Sequence, residues 1–394
     1  MNKVKVAIPV FSKNSNWLGG YNYIINLLNA LSELKELRIE VVLLASQSTI
    51  NELKQKYSNF TFKSTSLNTP FGLIYWIGRV IGKFLKNYFI YEFNLKLAGL
   101  NLIAYGPPLL KSNNLCSISW IPDFQHLYYP EFFSKKEILR RNNLFMNYIN
   151  NSTLVILSSR TAKNDIEKFQ PSALSKTRIL RFVSSKSINI ENSSFKLIRE
   201  KYKLPKLFFH LPNHFWVHKN HKLVVEAVNL LNNKNLKLNI VCTGNTFDYR
   251  KPDFFNEFIS LIKDKKIEKQ FFILGVVPYA DVISLMKNSI SIINPSLFEG
   301  WSTTVEESKS LDKKILLSDI PVHREQNPKR GIFFDPKSAS NLAQKMEECF
   351  SSKSSNVYKE NNEIKDKELK EKIINFAKSF EDIVLEASKI FKNI

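Results

Sequence analysis

The sequence predicts an α/β protein made of two Rossmann-like, doubly wound domains facing each other across a cleft. Three observations predict it. The chain has 394 residues, too many for one ordinary hydrophobic core. Short β-rich apolar runs alternate with longer helical stretches, the pattern of a parallel sheet covered by helices on both faces. The alternation stops in a polar stretch, residues 184–194, and then restarts, which places a domain boundary near 185–200.

Residues 4–10 read as a strand, and Tyr23, Leu27, Leu28 and Leu31 form the stripe of a following helix. A second strand falls at 39–45, and runs at 117–121 and 153–157 each lead into a helical or turn-rich segment. After the boundary come a strand at 206–211, a helix over about 221–231 and a strand at 236–242. A strand at 271–274, a helix near 280–287, a strand at 291–294, a helix after Ser302 and a strand at 315–318 complete the series. Near the C-terminus Ile373, Phe376, Ala377, Phe380, Ile383, Val384, Ala387, Ile390 and Phe391 recur at three- and four-residue spacing, an amphipathic helix that must pack on something. The Lys- and Glu-rich residues 359–372 before it read as a solvated connection or a polar helix start. The expected domains are therefore 1–190, 191–372 and a helix over 373–394 that can return to the first domain.

Composition narrows the function. Hydrophobic residues at 44% and charged residues at 24% describe a globular chain. The formal charge of +21 points to phosphate-bearing or membrane-surface partners. It is uneven: residues 1–190 carry a net +14 and residues 191–394 a net +7. Only 11 glycines are present, and no GxGxxG or GxxxxGK[ST] passes through them, which excludes the glycine-rich dinucleotide and P-loop cradles. Cys116, Cys242 and Cys349 are isolated, neither a disulfide framework nor a metal pair, as in a reducing compartment. No signal peptide and no apolar run of membrane-spanning length are seen, so the expectation is a cytoplasmic protein.

Several segments carry candidate chemistry. In Pro295-Ser-Leu-Phe-Glu-Gly-Trp-Ser-Thr-Thr-Val-Glu-Glu-Ser, Glu299 lies in the loop after a parallel strand, where open α/β sheets bind ligands. Glu307 falls in the next helix, whose free N–H groups suit an anion. Glu306 with Thr303 forms a T-x-x-E capping box. Lys219 follows a strand and opens a helix, so its ammonium and the helix start can hold one diphosphate. His126 near a strand end, with Asp123, is placed to orient an acceptor hydroxyl, or is a satisfied structural histidine. His210, His214, His218 and His221 fall within twelve residues, but Pro212 breaks the helix that would gather them, so no metal is expected. Residues 76–90 are apolar, aromatic and basic, as a buried helix or a membrane-interface segment would be.

These residues resemble a family. Glu299 and Glu307 reproduce the E-x7-E signature of retaining glycosyltransferases of family 4, which have the two-domain GT-B fold. Leu317–Glu325, Leu-Ser-Asp-Ile-Pro-Val-His-Arg-Glu, fits as well, and Pro212-Asn-His-Phe-Trp-Val-His-Lys-Asn-His221 is similar to the family's phosphate-binding strand, loop and helix. Gly19-Gly20 before a helix is similar to the family's glycine pair. Ser119-Trp-Ile-Pro-Asp-Phe-Gln-His126 sits where the family carries a His or Asp facing the acceptor.

The resemblance implies that Glu299 bonds the donor sugar near its anomeric centre and that Glu307 accepts from the ribose. It implies that amides from Gly300, Trp301, Ser302 and Thr303 face sugar or phosphate, and that the base meets Gly275. Gly19 and Gly20 would let the first loop approach the diphosphate or acceptor. Two departures stand out: Asn213 replaces the family's Arg, with Arg160 as one substitute, and Ser302 replaces a Gly, narrowing the donor space.

The reading is a cytoplasmic retaining glycosyltransferase, peripheral to an anionic membrane in one version, with roles in cell-surface polysaccharide or glycolipid assembly. It would take a nucleotide-diphosphate sugar and a glycan or lipid-linked acceptor, with no cofactor required. A nucleotide-sugar epimerase or phosphorylase on the same scaffold is an alternative. A basic nucleic-acid-binding protein is another, but it gives the Glu299–Glu307 loop no role, and aromatic residues are not interleaved with a basic stripe; nucleic acid is therefore not an expected partner.

Overall fold

A computed structural model describes residues 3–10, 18–64, 95–106, 115–184, 195–352 and 362–393. The 76–90 segment lies outside the described residues. The chain divides into two compact units, one of Met1–Phe124, Lys135–Ser185 and Asp366–Ile394, the other of Gln125–Ser134 and Lys186–Lys365. The first unit thus takes in the C-terminal helix and leaves residues 125–134 to the second.

Seven strands form the first sheet: β1 (Val4–Pro9), β2 (Ile39–Ala45), β3 (Thr61–Ser64), β4 (Leu102–Ala104), β5 (Cys116–Ile121), β6 (Leu154–Leu157) and β7 (Thr177–Ile179). Six form the second: β8 (Phe209–Leu211), β9 (Ile240–Cys242), β10 (Phe271–Ile273), β11 (Ile292–Asn294), β12 (Ile315–Ser318) and β13 (Gly331–Phe334). The spatial orders are β3-β2-β1-β4-β5-β6-β7 and β10-β9-β8-β11-β12-β13, and neighbouring strands are parallel throughout. Each sheet therefore winds outward in both directions from its first strand, the doubly wound order of a Rossmann fold. Interior strands such as Leu154–Leu157 are buried at every residue, which is why they read as unbroken apolar runs.

The helices among the described residues begin with α1 (Leu18–Ser32), α2 (Gln47–Lys54), α3 (Gln125–Tyr128), α4 (Lys135–Asn151) and α5 (Arg160–Phe169). They continue with α6 (Phe195–Lys201), α7 (His221–Asn233), α8 (Phe254–Asp264) and α9 (Tyr279–Asn288). The last are α10 (Thr303–Ser310), α11 (Pro321–Gln326), α12 (Ala339–Ser351) and α13 (Asn362–Lys392). Serine starts three of them: Ser46, Ser159 and Ser338 accept from the backbone N–H three residues on, satisfying a donor that helix geometry leaves open. None of the described helices is long and apolar enough to cross a membrane.

One expectation is corrected. Gly19 and Gly20 do not form a loop before a helix; they lie inside the first turn of α1. The buried stripe of Tyr23, Ile24, Leu27, Leu28 and Leu31 extends back through Tyr21, and that burial outweighs a helix cost of about 1 kcal/mol per glycine. Of the two readings of the polar residues before the C-terminal stripe, the polar helix start holds, because α13 already begins at Asn362.

In the first unit, α13 buries Ile373, Phe376, Ala377, Phe380, Ile383, Val384 and Ala387. Phe376 meets Tyr23 edge-on at 6.4 Å and Phe380 stacks on Tyr105 at 5.9 Å. Its polar edge is fixed as well. Glu381 accepts from the Arg38 backbone N–H at 2.6 Å and from Arg38 Nε at 3.2 Å, and Glu386 accepts from Arg178 Nε at 2.8 Å.

Candidate functional site

Strand order reverses in the second sheet between β8 and β11, and ligands of open α/β sheets bind beyond the carboxyl ends of such strands. Two asparagines mark that point. Asn213, just past β8, donates from Nδ2 to Oδ1 of Asn294, the last residue of β11, at 3.2 Å. Asn213 Oδ1 accepts from Thr304 Oγ1 at 3.3 Å, and Asn294 Nδ2 donates to Ser302 Oγ at 2.9 Å. Both asparagines are buried, so their amides join the two loops, and the donor of Asn213 is directed at Asn294.

Beyond Asn213 the chain makes a one-turn 3-10 helix, Val217–Lys219, before α7. Asn220 between them is left-handed, at φ 56°, a conformation asparagine tolerates better than most residues. Its side chain does not cap α7; it donates to the carbonyls of Pro295 at 3.2 Å and Pro336 at 2.9 Å. The Leu297 N–H donates to the His218 carbonyl at 2.8 Å. These bonds draw the loop carrying Lys219 onto the loop carrying Glu299.

The result is an ion pair between residues 80 positions apart. Lys219 Nζ lies 2.6 Å from Glu299 Oε1, with side-chain exposures of 15% and 10%. Ser296 Oγ donates to the same Oε1 at 2.6 Å, while Oε2 carries no hydrogen bond among the described residues. Burial alone would raise the Glu299 pKa, but the Lys219 ammonium and the two hydrogen bonds more than offset it and hold the carboxyl below its ordinary value.

A second layer supports this pair. Ser318 Oγ donates to the Ser296 carbonyl at 2.6 Å. His323 Nδ1 is 2.9 Å from the Ser318 carbonyl; a carbonyl only accepts, so Nδ1 carries the proton. Nε2 is then a bare, buried acceptor. Burial pushes the His323 pKa down to about 4 against the pull of Glu299, so the ring is neutral at pH 7.

The expected capping box is overturned. α10 starts at Thr303 with Ser302 as its N-cap and no side-chain cap bond. Glu306 is buried and accepts from Gln326 Nε2 at 2.9 Å and Lys309 Nζ at 2.9 Å. Gln326 also accepts from the Ser302 N–H at 3.1 Å and donates to the Ser302 carbonyl at 3.0 Å. A long-range partner thus takes both the carboxylate and an amide that helix geometry leaves open.

The other candidate residues lie as follows. Glu307 accepts from Tyr279 Oη at 2.8 Å. Gly300, Trp301 and Thr303 are half-buried. Gly275 follows β10 at φ +67° and accepts from the Gly244 N–H at 2.8 Å. Asp123 belongs to the first unit and His126 to the second; His126 is buried, its ring edge-on to Phe133 at 6.5 Å. Arg160 begins α5 in the first unit. The clustered histidines serve separate purposes. His210 Nε2 is 3.0 Å from Thr243 Oγ1, His214 Nδ1 accepts from the Asn245 N–H at 2.8 Å, and His221 stacks on Phe215 at 4.4 Å.

The sequence assigns no role to Ser296, Asn294, Gln326 and His323, although all four lie in or beside the motifs quoted above. The sequence gives Gly244 no special place either. At φ +143°, a Cβ there would stand 2.4 Å from the Asn213 carbonyl oxygen and 2.8 Å from the His214 nitrogen. Gly244→Ala is expected to destabilise the protein by about 1–3 kcal/mol, read from its thermal midpoint. Wild-type stability in that variant would show that the Asn213–His214 backbone gives way freely.

Residues 194–376 match the family model described as glycosyl transferases group 1. No curated protein matches the chain. Among solved structures it is similar to a glycosyltransferase from Rickettsia africae ESF-5, with TM-score 0.64 and 18% identity over 100% of this chain and 99% of that one. It is similar to Anabaena Alr3699/HepE in complex with UDP and glucose, with TM-score 0.61 and 12% identity over 99% of each chain. A sucrose-phosphate synthase from Thermosynechococcus elongatus gives TM-score 0.64 and 13% identity over 99% of each. At these identities the likeness is one of fold: two Rossmann-like α/β domains of the GT-B class.

Proposed function

We propose that the protein is a retaining glycosyltransferase of family 4 that moves a sugar from a nucleoside diphosphate to an acceptor hydroxyl. The observation that carries this reading is the buried Lys219–Glu299 pair at the strand-order reversal, inside the segment that matches glycosyl transferases group 1. The complex of Alr3699/HepE with UDP and glucose supports a nucleotide sugar as donor.

The geometry suggests how the pair works. A donor diphosphate competes with Glu299 for the Lys219 ammonium through charge-assisted hydrogen bonds. Oε2 of Glu299 accepts from a hydroxyl of the donor sugar, and Glu307 accepts from the ribose. The acceptor oxygen bonds to the anomeric carbon as the bond to the leaving phosphate breaks. The acceptor proton passes to the departing phosphate on the same face, which retains configuration. Phosphate is a stable leaving group, so this route calls for no metal. The net +14 of residues 1–190 favours an anionic, lipid-linked or glycan acceptor at a membrane surface in cell-surface polysaccharide or glycolipid assembly.

A thermal-shift screen against UDP-, GDP-, ADP- and CMP-sugars tests the reading. At about a hundredfold excess over Kd, the true donor stabilises the protein by roughly 2.7 kcal/mol. A flat response to all four classes would end the proposal.

A further inference from the structure

Residues Gln125–Ser134 group with the second unit, although Phe124 and Lys135 on either side belong to the first. Named anchors hold this strap in the second unit. Gln125 Oε1 accepts from Arg250 Nη1 at 3.0 Å, and the same guanidinium lies 5.5 Å from the Phe133 ring centroid. That guanidinium is itself fixed by Asp248, with Nε to Oδ1 at 2.9 Å and both side chains buried. Tyr129 Oη donates to the Leu297 carbonyl at 3.2 Å. Gln125, His126 and Phe133 are buried accordingly.

Leu127 and Tyr128 lie between these anchors and are 43% and 48% exposed. The Tyr128 ring stands 5.4 Å from that of Phe298, tilted by 39°, and Phe298 directly precedes Glu299. The strap therefore fixes a half-open aromatic ring beside the loop that carries the candidate carboxylate. Holding it there has no evident value to the core, since neither Leu127 nor Tyr128 is buried.

Its chemistry suits one kind of occupant. A pyranose ring presents a face of C–H groups and a rim of hydroxyls. The apolar face packs on an aromatic ring, while the hydroxyls need acceptors at its edge. Tyrosine supplies such a surface with little conformational entropy to lose. We propose that Tyr128, backed by Phe298, stacks on the sugar ring of a carbohydrate acceptor and so selects acceptors that carry a ring at the reacting end. The inference rests on the glycosyltransfer reading and adds the class of acceptor to it.

The test measures binding of methyl glycosides of glucose, galactose, mannose and N-acetylglucosamine by saturation-transfer NMR. It uses the full-length protein saturated with whichever of UDP, GDP, ADP and CMP binds best. The expected result is that at least one glycoside binds through its C–H face. Tyr128→Ala should weaken it about three- to tenfold, and Tyr128→Phe should keep it. Nucleotide affinity should stay the same in all three proteins, which a collapse of the fold would not allow. Equal glycoside binding by Tyr128→Ala would overturn the proposal. So would a wild-type protein that binds nucleotide and 1-octanol but none of the glycosides. Failure of all four nucleotides to bind would overturn the functional reading and this inference with it.

Discussion

Replacing Lys219 by Met is expected to destabilise the protein by about 3–5 kcal/mol, because it strands a buried carboxylate without its cation. Glu299 is only 10% exposed at its side chain, and Ser296 alone cannot replace an ammonium 2.6 Å away. The loss corresponds to a fall of roughly 6–20 °C in the melting of the second unit. Lys219→Met with Glu299→Gln should recover most of it, since the charge that needed compensation is gone.

The pH dependence separates this account from simple loss of packing. In the wild type the folded pKa of Glu299 lies below its ordinary value. The pair's contribution is therefore fully present above the unfolded carboxyl pKa, about 4.3, and is lost as pH falls through the lowered folded value. Without Lys219, burial dominates and the folded pKa rises. The variant is then favoured at low pH and loses stability as pH climbs through that raised value. The deficit should shrink on acidification, and a deficit constant from pH 4 to 8 would refute the ion-pair account.

What the sequence disclosed, and what it hid, follows from the range of the interactions involved. Strands such as 39–45 and 315–318 are legible because nearly all their residues are apolar and buried, Glu40 and Ser318 being the polar exceptions. The strand read at 206–211 shrinks to Phe209–Leu211, the residues before it including Leu207, which is 38% exposed. Glu299 and Lys219 stand out by residue type and by their place after strands. That they touch each other depends on sheet order, which brings the ends of β8 and β11 together across 80 residues of sequence. The same holds for Glu306. Its spacing from Thr303 is a local signal, but Gln326, arriving from α11, offers a buried hydrogen bond that local geometry cannot match. Nothing local marks Gly244, because the backbone that a Cβ would meet there is that of Asn213, 31 residues earlier.

Glu299→Gln is expected to lower kcat by about 10²–10³ while leaving nucleotide affinity within a few-fold of wild type. The substitution is conservative in shape. The amide oxygen can stay where Oε1 now accepts from Lys219 and Ser296. The amide nitrogen then falls at Oε2, so an N–H donor replaces the acceptor offered to the donor sugar, and the negative charge disappears. If Glu299 stabilises positive charge developing at the anomeric centre, the loss appears in kcat, because that charge exists only in the transition state. If it merely holds the sugar in the ground state, the loss appears in KM for the nucleotide sugar and kcat is unchanged. Steady-state rates of nucleoside diphosphate release, with donor and acceptor each varied, distinguish the two. Sugar transfer by Glu299→Gln at the wild-type rate would remove Glu299 from the mechanism and leave its carboxylate only the task of holding the Lys219 ammonium in place.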